Sequence, residues 1–475
     1  MLKSFILKKF PNDKIPEEII KAKENYIFTK KNKYLDFTSG WTTFATMGYQ
    51  NSEILSAMRK QMKKFNHIDY NVWYNSETEV LAKKIVDLGP KNLSKVYLGG
   101  SSGSDAIEAA MKLSYHVHYD SGNKNKTYYI SRIQSYNGST LQAISTSDLP
   151  ILKFYDQLLP TNVKKISQHN SHAECKFDVF KQKCICKKNK KNPCMGKFEG
   201  ESDANYENRC VKELEDAILK IGPNKVCAFI GETQLGSLVG DVPPTKNYWR
   251  KIRRVCDKYN VHIILDEVYC GVGRSGKFFN FSFDNFTPDF VCIGKNFTGG
   301  HAPLSAVITK KKFEDIIAKG SGRIQLGHTF QGYALGVAAA IKMLEIFKKK
   351  KILDRVYRKG KYMRDILFSE LKSNPFFKNI RGRGYLFSLE HQCSNNHLFA
   401  LKLSEYIKQN DKIIINSKWH RTSFAPSYIT TDKQIDFVLE KFIHNFKKIS
   451  SNWKTIKNKS NIEVSKSMGG IKKNN

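Results

Sequence analysis

The chain has 475 residues, 40% of them apolar, which is enough for a substantial core and two domains. Its formal charge is +35, but the lysines are spread over the whole length. There is no arginine-rich stripe and no aromatic-interleaved motif, which argues against specific nucleic-acid binding, and no stretch approaches the ~20 apolar residues of a membrane span.

The opening MLKSFILKKFPNDK has an apolar patch too short for a signal peptide. Most cysteines sit inside apolar runs (Cys227, Cys256, Cys292), so a reduced, cytoplasmic protein is expected. Strand-length apolar runs then alternate with helical patterns. KVYLGG (95–100) leads into SDAIEAAMKLSYHVHY (104–119), and YYIS (128–131) follows. ENRCVKELEDAILKIG (207–222) precedes VCAFIGE (226–232), and NYWRKIRRVCDKYN (247–260) precedes VHIILDE (261–267). FVCIGK (290–295) and LSAVIT (304–309) close the series. Near-continuous apolar strands separated by helices predict an α/β fold with a mostly parallel sheet covered on both faces.

From about residue 333 two long helical patterns precede the short strands GYLFSLE and KIIIN. A last helix opens on Thr431-x-x-Gln434, a capping-box pattern. This region reads as a smaller α+β domain, and the lysine-rich 451–475 as a disordered tail. Cys175, Cys184, Cys186 and Cys194 stand close together in the basic stretch 173–197. They are either a structural zinc site or incidental thiols of a solvated loop, and the paired CxxC knuckles of a strong zinc signal are missing; no metal is assigned.

In an open α/β sheet ligands bind beyond the carboxyl ends of the strands. Here those ends carry Gly99–Ser104, Glu232, Asp266–Glu267 and Lys295. In GGSSGSDAIEAA (99–110) the amides of Gly103 and Ser104, the Ser104 hydroxyl and the helix dipole form an anion cradle. Asp266 ends a strand buried on both faces, where a carboxylate needs a cation or donors to meet it. It is either a structural ion pair or the partner of a group that must stay protonated. Lys295 closes an apolar strand inside a glycine-flanked turn; such an amine either snorkels to solvent or is used chemically. Cradle, carboxylate and lysine together describe a pyridoxal phosphate site.

With these motifs the chain resembles the class III (subgroup II, ω-type) pyridoxal-phosphate aminotransferases from about residue 33 to about 445. KYLDFTSGW (33–41), SGSDAIEAAMKL, SYNG (135–138), DEVYCGVGRSGKFF (266–279), GKNFTGG (294–300) and GHTFQGYALGVAAA (327–340) stand in the family's order. The resemblance implies fold type I, with the small domain built from both chain ends: residues 1–60, a large cofactor-binding domain at 61–335, and 336–450. It implies Lys295 as the Schiff-base lysine and proton carrier, and Asp266 on the pyridine nitrogen. Val268 and Tyr136 would flank the ring, with Ser102, Gly103 and Ser104 on the phosphate and Glu232 as the strand-end glutamate. Thr329 would reach the phosphate of a neighbouring subunit, so a homodimer or larger oligomer is expected. Trp41, Tyr70 and Trp73 are expected either in the substrate pocket or in the core.

Several places depart from the family pattern. Asn137 replaces a histidine, and Thr233 a proline. Some members pair a glutamate after the Glu232 position with an arginine beside the FAPP-like segment, as a gate between substrates; Ser237 and Ser423 stand in those places. Arg421 either binds a carboxylate instead or is a surface arginine. The expected reaction moves an amino group from an amine or ω-amino acid to a 2-oxo acid, with pyruvate favoured over 2-oxoglutarate. An aminomutase, racemase or decarboxylase is the second expectation. A silent basic binding protein is third, and the intact Lys295, Asp266 and phosphate loop argue against it.

Overall fold

The computed structural model describes residues 5–7, 16–172, 177–178, 183–184, 196–198, 200–236, 238–392, 396–418 and 420–458. The side chains of Cys175, Cys184, Cys186, Cys194 and Ser237 lie outside that set. Three N-terminal strands, β1 (Ile19–Lys23), β2 (Tyr26–Thr29) and β3 (Lys33–Asp36), come first. They are followed by β4 (Lys95–Leu98), β5 (Tyr128–Arg132), β6 (Val163–Ile166), β7 (Val226–Glu232), β8 (His262–Asp266), β9 (Phe290–Ile293) and β10 (Ala306–Thr309). The C-terminal part holds β11 (Phe377–Arg383), β12 (Leu386–His391), β13 (Ile413–Ile414), β14 (Asn416–Lys418) and β15 (Arg421–Phe424).

The central sheet has the order β4-β10-β9-β8-β7-β5-β6. All its strands share one direction except β10, which is antiparallel to both neighbours. Every residue of β7 and β8 is buried, because helices cover both faces. Ile264, Phe290, Cys292 and Val307 pack against Ala106, Ile107 and Ala110 of helix α1 (Gly103–Asp120). Ile263, Leu265, Val291 and Ile293 join a second cluster with Trp249 and Ile252 of helix α2 (Tyr248–Lys258). Continuous apolar strands are the sequence signature of that double cover. The edge strand β6 reads Val-Lys-Lys-Ile; its lysines hide it from the apolar pattern and also protect a sheet edge.

Both chain ends meet in one sheet of order β1-β2-β3-β13, whereas β11-β12-β15-β14 forms another. One guanidinium connects these parts to the central domain. Arg274 is fully buried and donates from Nη2 to the Thr43 carbonyl at 2.9 Å and from Nη1 to the Pro426 carbonyl at 2.7 Å. The segment it grips, Ser39–Thr43, has positive φ at Ser39, Gly40, Trp41 and Thr43. Asp36 steadies that costly backbone by accepting from the Thr38 and Gly40 amides and the Tyr49 hydroxyl at 2.6–2.8 Å.

The last helices are α3 (Asp432–Ser451), opened by the expected Thr431–Gln434 capping box, and α4 (Trp453–Asn458). The expected tail therefore starts too early at 451. Trp453 is buried against Phe399 at 5.3 Å and Phe376 at 6.1 Å, and its apolar area keeps the chain docked past that point. Among the described residues no helix is long and apolar enough to cross a membrane.

Candidate active site

The carboxyl ends of the central strands enclose a cavity of about 320 Å3. It brings together Ser102, Gly103, Ser104, Tyr136, Glu232, Asp266, Val268 and Lys295, residues contributed by five separate segments. The parallel register explains the convergence, since Asp266 on β8 lies directly beside Glu232 on β7. Lys295 follows β9 at φ 47, in the left-handed region that a side chain rarely adopts. Asn296 anchors the turn by donating to the Gly271 carbonyl and the Tyr428 hydroxyl, each at 3.2 Å.

Burial dominates the electrostatics. It lowers the Lys295 amine, while Asp266 and Glu232 pull it back up. The same burial pushes the Asp266 carboxyl up to about 6, against the Val268 amide at 2.9 Å and the charges of Lys295 and Arg132. Glu232 is pushed up to about 8, by burial first and also by its Asp266 neighbour; Arg132 opposes the shift. Glu232 Oε1 accepts from the Gly236 amide at 3.3 Å, and Oε2 is buried with no partner among the described residues. An orphaned carboxylate oxygen beside a cavity is a group that a ligand would satisfy.

Helix α1 begins at the cavity. Ser102 and Asp105 form a capping box, which consumes the Asp105 carboxylate and points it back at the Ser102 amide at 2.9 Å. A Cβ on Gly103 would stand 2.4 Å from Val268 Cγ1, so only glycine lets the helix start come this close to the end of β8. Gly138 is at φ 140, and a Cβ there would stand 2.8 Å from Ser104 Oγ. The Ser139 amide donates to that same hydroxyl at 2.9 Å, which docks the Tyr136–Ser139 turn on the helix start. Asn137 is buried and bonds the Thr146 carbonyl at 3.0 Å, acting as a brace for this turn. First-turn amides, a buried amine and a buried carboxylate fit a cofactor with an anionic tail, a carbonyl and a basic ring nitrogen.

The remaining expected residues lie elsewhere. Thr329 is exposed, and its carbonyl is 2.7 Å from His67 Nε2. Trp41 and Trp73 are exposed, outside the core and outside the lining of this cavity, and Tyr70 lines a separate cavity, bonded to Glu79 at 2.8 Å. Arg421 is not a surface arginine. It is fully buried on β15, outside the cavity lining, with Asp241 and Arg381 as charged neighbours. Ser423 bonds Ser388 at 2.8 Å, and Ser388 in turn bonds Asp241.

Sequence reasoning missed two residues. Tyr269 lines the cavity with its ring centroid 5.0 Å from Lys295 Nζ. Arg132 ends β5, fully buried, and donates to the Glu232 carbonyl at 2.5 Å. A Cβ on Gly231 would stand 2.7 Å from its Nη2. The strand-end rule that selected Glu232 and Asp266 would have selected Arg132 as well.

The family profile described as aminotransferase class-III matches residues 10–446. A diaminobutyrate–2-oxoglutarate transaminase of Halomonas elongata is 30% identical over 83% of this chain and 82% of its own. Gamma aminobutyrate transaminase 2 of Solanum lycopersicum is 32% identical over 79% of this chain and 78% of its own. The fold matches the ω-transaminase of Pseudomonas jessenii, solved with PMP, at a TM-score of 0.83 and 23% identity, covering 95% of this chain and 97% of that one. The profile spans nearly the whole chain around a site of fitting chemistry, and the chain belongs to the class III aminotransferases, transferases of amino groups that work with pyridoxal 5′-phosphate.

Proposed function

We propose that the chain moves an amino group from an amine or ω-amino acid to a small 2-oxo acid, pyruvate in preference to 2-oxoglutarate. Donor and acceptor use the same cavity in turn, in a ping-pong sequence. Pyridoxal 5′-phosphate, when bound, supplies an electron sink conjugated to the reacting carbon. Ser102, Gly103 and Ser104 would bind its phosphate, and Val268 and Tyr136 would flank its ring. Asp266 would hold a proton on the ring nitrogen, and the Lys295 Nζ would carry the cofactor and move the proton at the reacting carbon. Glu232 stands beside Asp266 and would orient a polar group of the bound substrate through its unpaired oxygen.

The observation that carries the acceptor preference is the lining itself. Among the described residues that line the cavity, Lys295 is the one cation, and Arg421 and Arg381 stand outside it. Arg381 already serves Glu390 and the carbonyls of Val239 and Gly240. A second carboxylate on the acceptor would forgo a charge-assisted bond of roughly 1.5–3 kcal/mol, or about ten- to a hundredfold in discrimination. The kcat/KM ratio for pyruvate and 2-oxoglutarate with one good donor tests this. A clear preference for 2-oxoglutarate that disappears in Arg421→Ala would overturn it.

The exposed Thr329 and the aromatic stretch around Trp73 support a homodimer in which Thr329 reaches the partner's cavity. Trp41 and Tyr70 would border the substrate entrance in that assembly. The free thiols of Cys227, Cys256 and Cys292 support a cytoplasmic setting.

A further inference from the structure

We infer that Tyr269 is a positioning residue for the Lys295 amine, its ring face being the surface on which the amine rests between engagements with cofactor and substrate. The inference rests on the reading of Lys295 proposed above. The amine lies 5.0 Å from the ring centroid, inside the reach at which an aromatic face attracts an ammonium. The ring itself is held in place. Tyr269 packs against Cys270, Leu386 and Ala425, and a Cβ on Gly236 would sit 3.4 Å from its Cδ1, so the turn after β7 runs along the ring edge.

The reason for such a surface lies in the conflict around Lys295. Burial disfavours the ammonium, and the charged or titratable groups facing it are Asp266 from β8, Glu232 from β7 and Cys270 from the turn after β8. A carboxylate that held the ammonium could also take its proton, leaving the amine without the proton it must deliver. An aromatic face attracts the ammonium with no basic atom to receive that proton. Tyr269 therefore lets Lys295 keep a proton in a buried place while remaining free to move. It adds a hold that is independent of Asp266, whose own carboxylate would be committed to the cofactor.

Competitive acetylation tests this on the enzyme loaded with pyridoxamine 5′-phosphate, where the lysine amine is free. Acetic anhydride is applied across a pH series, and the peptide containing Lys295 is quantified by mass spectrometry. The parent and Tyr269→Phe should share one labelling midpoint. Tyr269→Leu and Tyr269→Gln, which lack a ring, should move it down by about 0.5–1 pH unit, with circular dichroism confirming the fold of each. The proposal is overturned if the two ringless variants titrate with the parent, or if Tyr269→Phe shifts along with them. A cofactor mapped to another lysine would refute the reading of the site instead, a result that the labelling midpoint does not depend on.

Discussion

Glu232 and Asp266 are register partners at the ends of adjacent parallel strands, so two buried carboxylates share one wall opposite a single buried amine. Neither side can be fully charged at low cost without the other, and burial raises both carboxyls while lowering the amine. The site is electrostatically loaded before any ligand arrives, as groups in catalytic clefts commonly are.

Lys295→Ala should lower turnover by at least about 10²–10⁴-fold, the usual loss when a general base is removed. Borohydride reduction of the loaded parent enzyme followed by peptide mapping should find the pyridoxyl group on Lys295. Label on a different lysine, or near-normal turnover of the variant, would disprove the assignment.

Asp266→Asn should lose most activity yet gain stability in the cofactor-free protein. The Asp266 carboxyl titrates near 6 in the fold against an ordinary value of 3.8. Its protonated form therefore stabilises the fold fully below 3.8, and that contribution is lost as pH rises through about 6. The amide never ionises, so the Tm advantage of the variant should be largest above pH 6 and shrink towards pH 4. A parent that is more stable than Asp266→Asn at neutral pH would contradict this.

Asp289 shows the opposite sign at the far end of the same sheet. Burial raises its carboxyl, but Arg253, His262 and Lys310 outweigh burial and hold it down at about 2. Contacts of 2.5 Å to Arg253 and 2.6 Å to Lys310 account for the pull. This stabilisation is present above 3.8 and lost as pH falls through about 2. Asp289→Asn should lower the unfolding free energy by about 2–3 kcal/mol at neutral pH in urea titrations, with kcat/KM per folded molecule unchanged.

Mixing Lys295→Ala with Thr329→Ala should restore part of the activity, because a shared interface would place both lesions in one site and leave the other intact. Light scattering should find at least a dimer. A monomer at working concentration that still binds cofactor would rule this out.

The strand ends and the helix start were legible because a doubly covered sheet makes each strand a continuous apolar run whose first polar residue marks the cavity. That logic fails at β6, where two lysines interrupt a short edge strand. It fails again at the tail, where one tryptophan decides the boundary. Trp41, Tyr70 and Trp73 were ambiguous for a different reason. An aromatic residue in a sequence carries no mark of whether a core, a ligand or a second subunit will cover it. Tyr269 stood in the block quoted for Asp266, but its approach to Lys295 arises from a fold that brings β8 and β9 side by side.

Arg274 has a mechanical consequence. By gripping the Thr43 and Pro426 carbonyls from within the turn that follows Asp266, it ties a segment near each end of the chain to the turn that leaves β8. Neither segment can move away from that turn on its own, because doing so breaks charge-assisted bonds in a fully buried place. Any displacement of either segment must carry the turn after Asp266 along with it as one body.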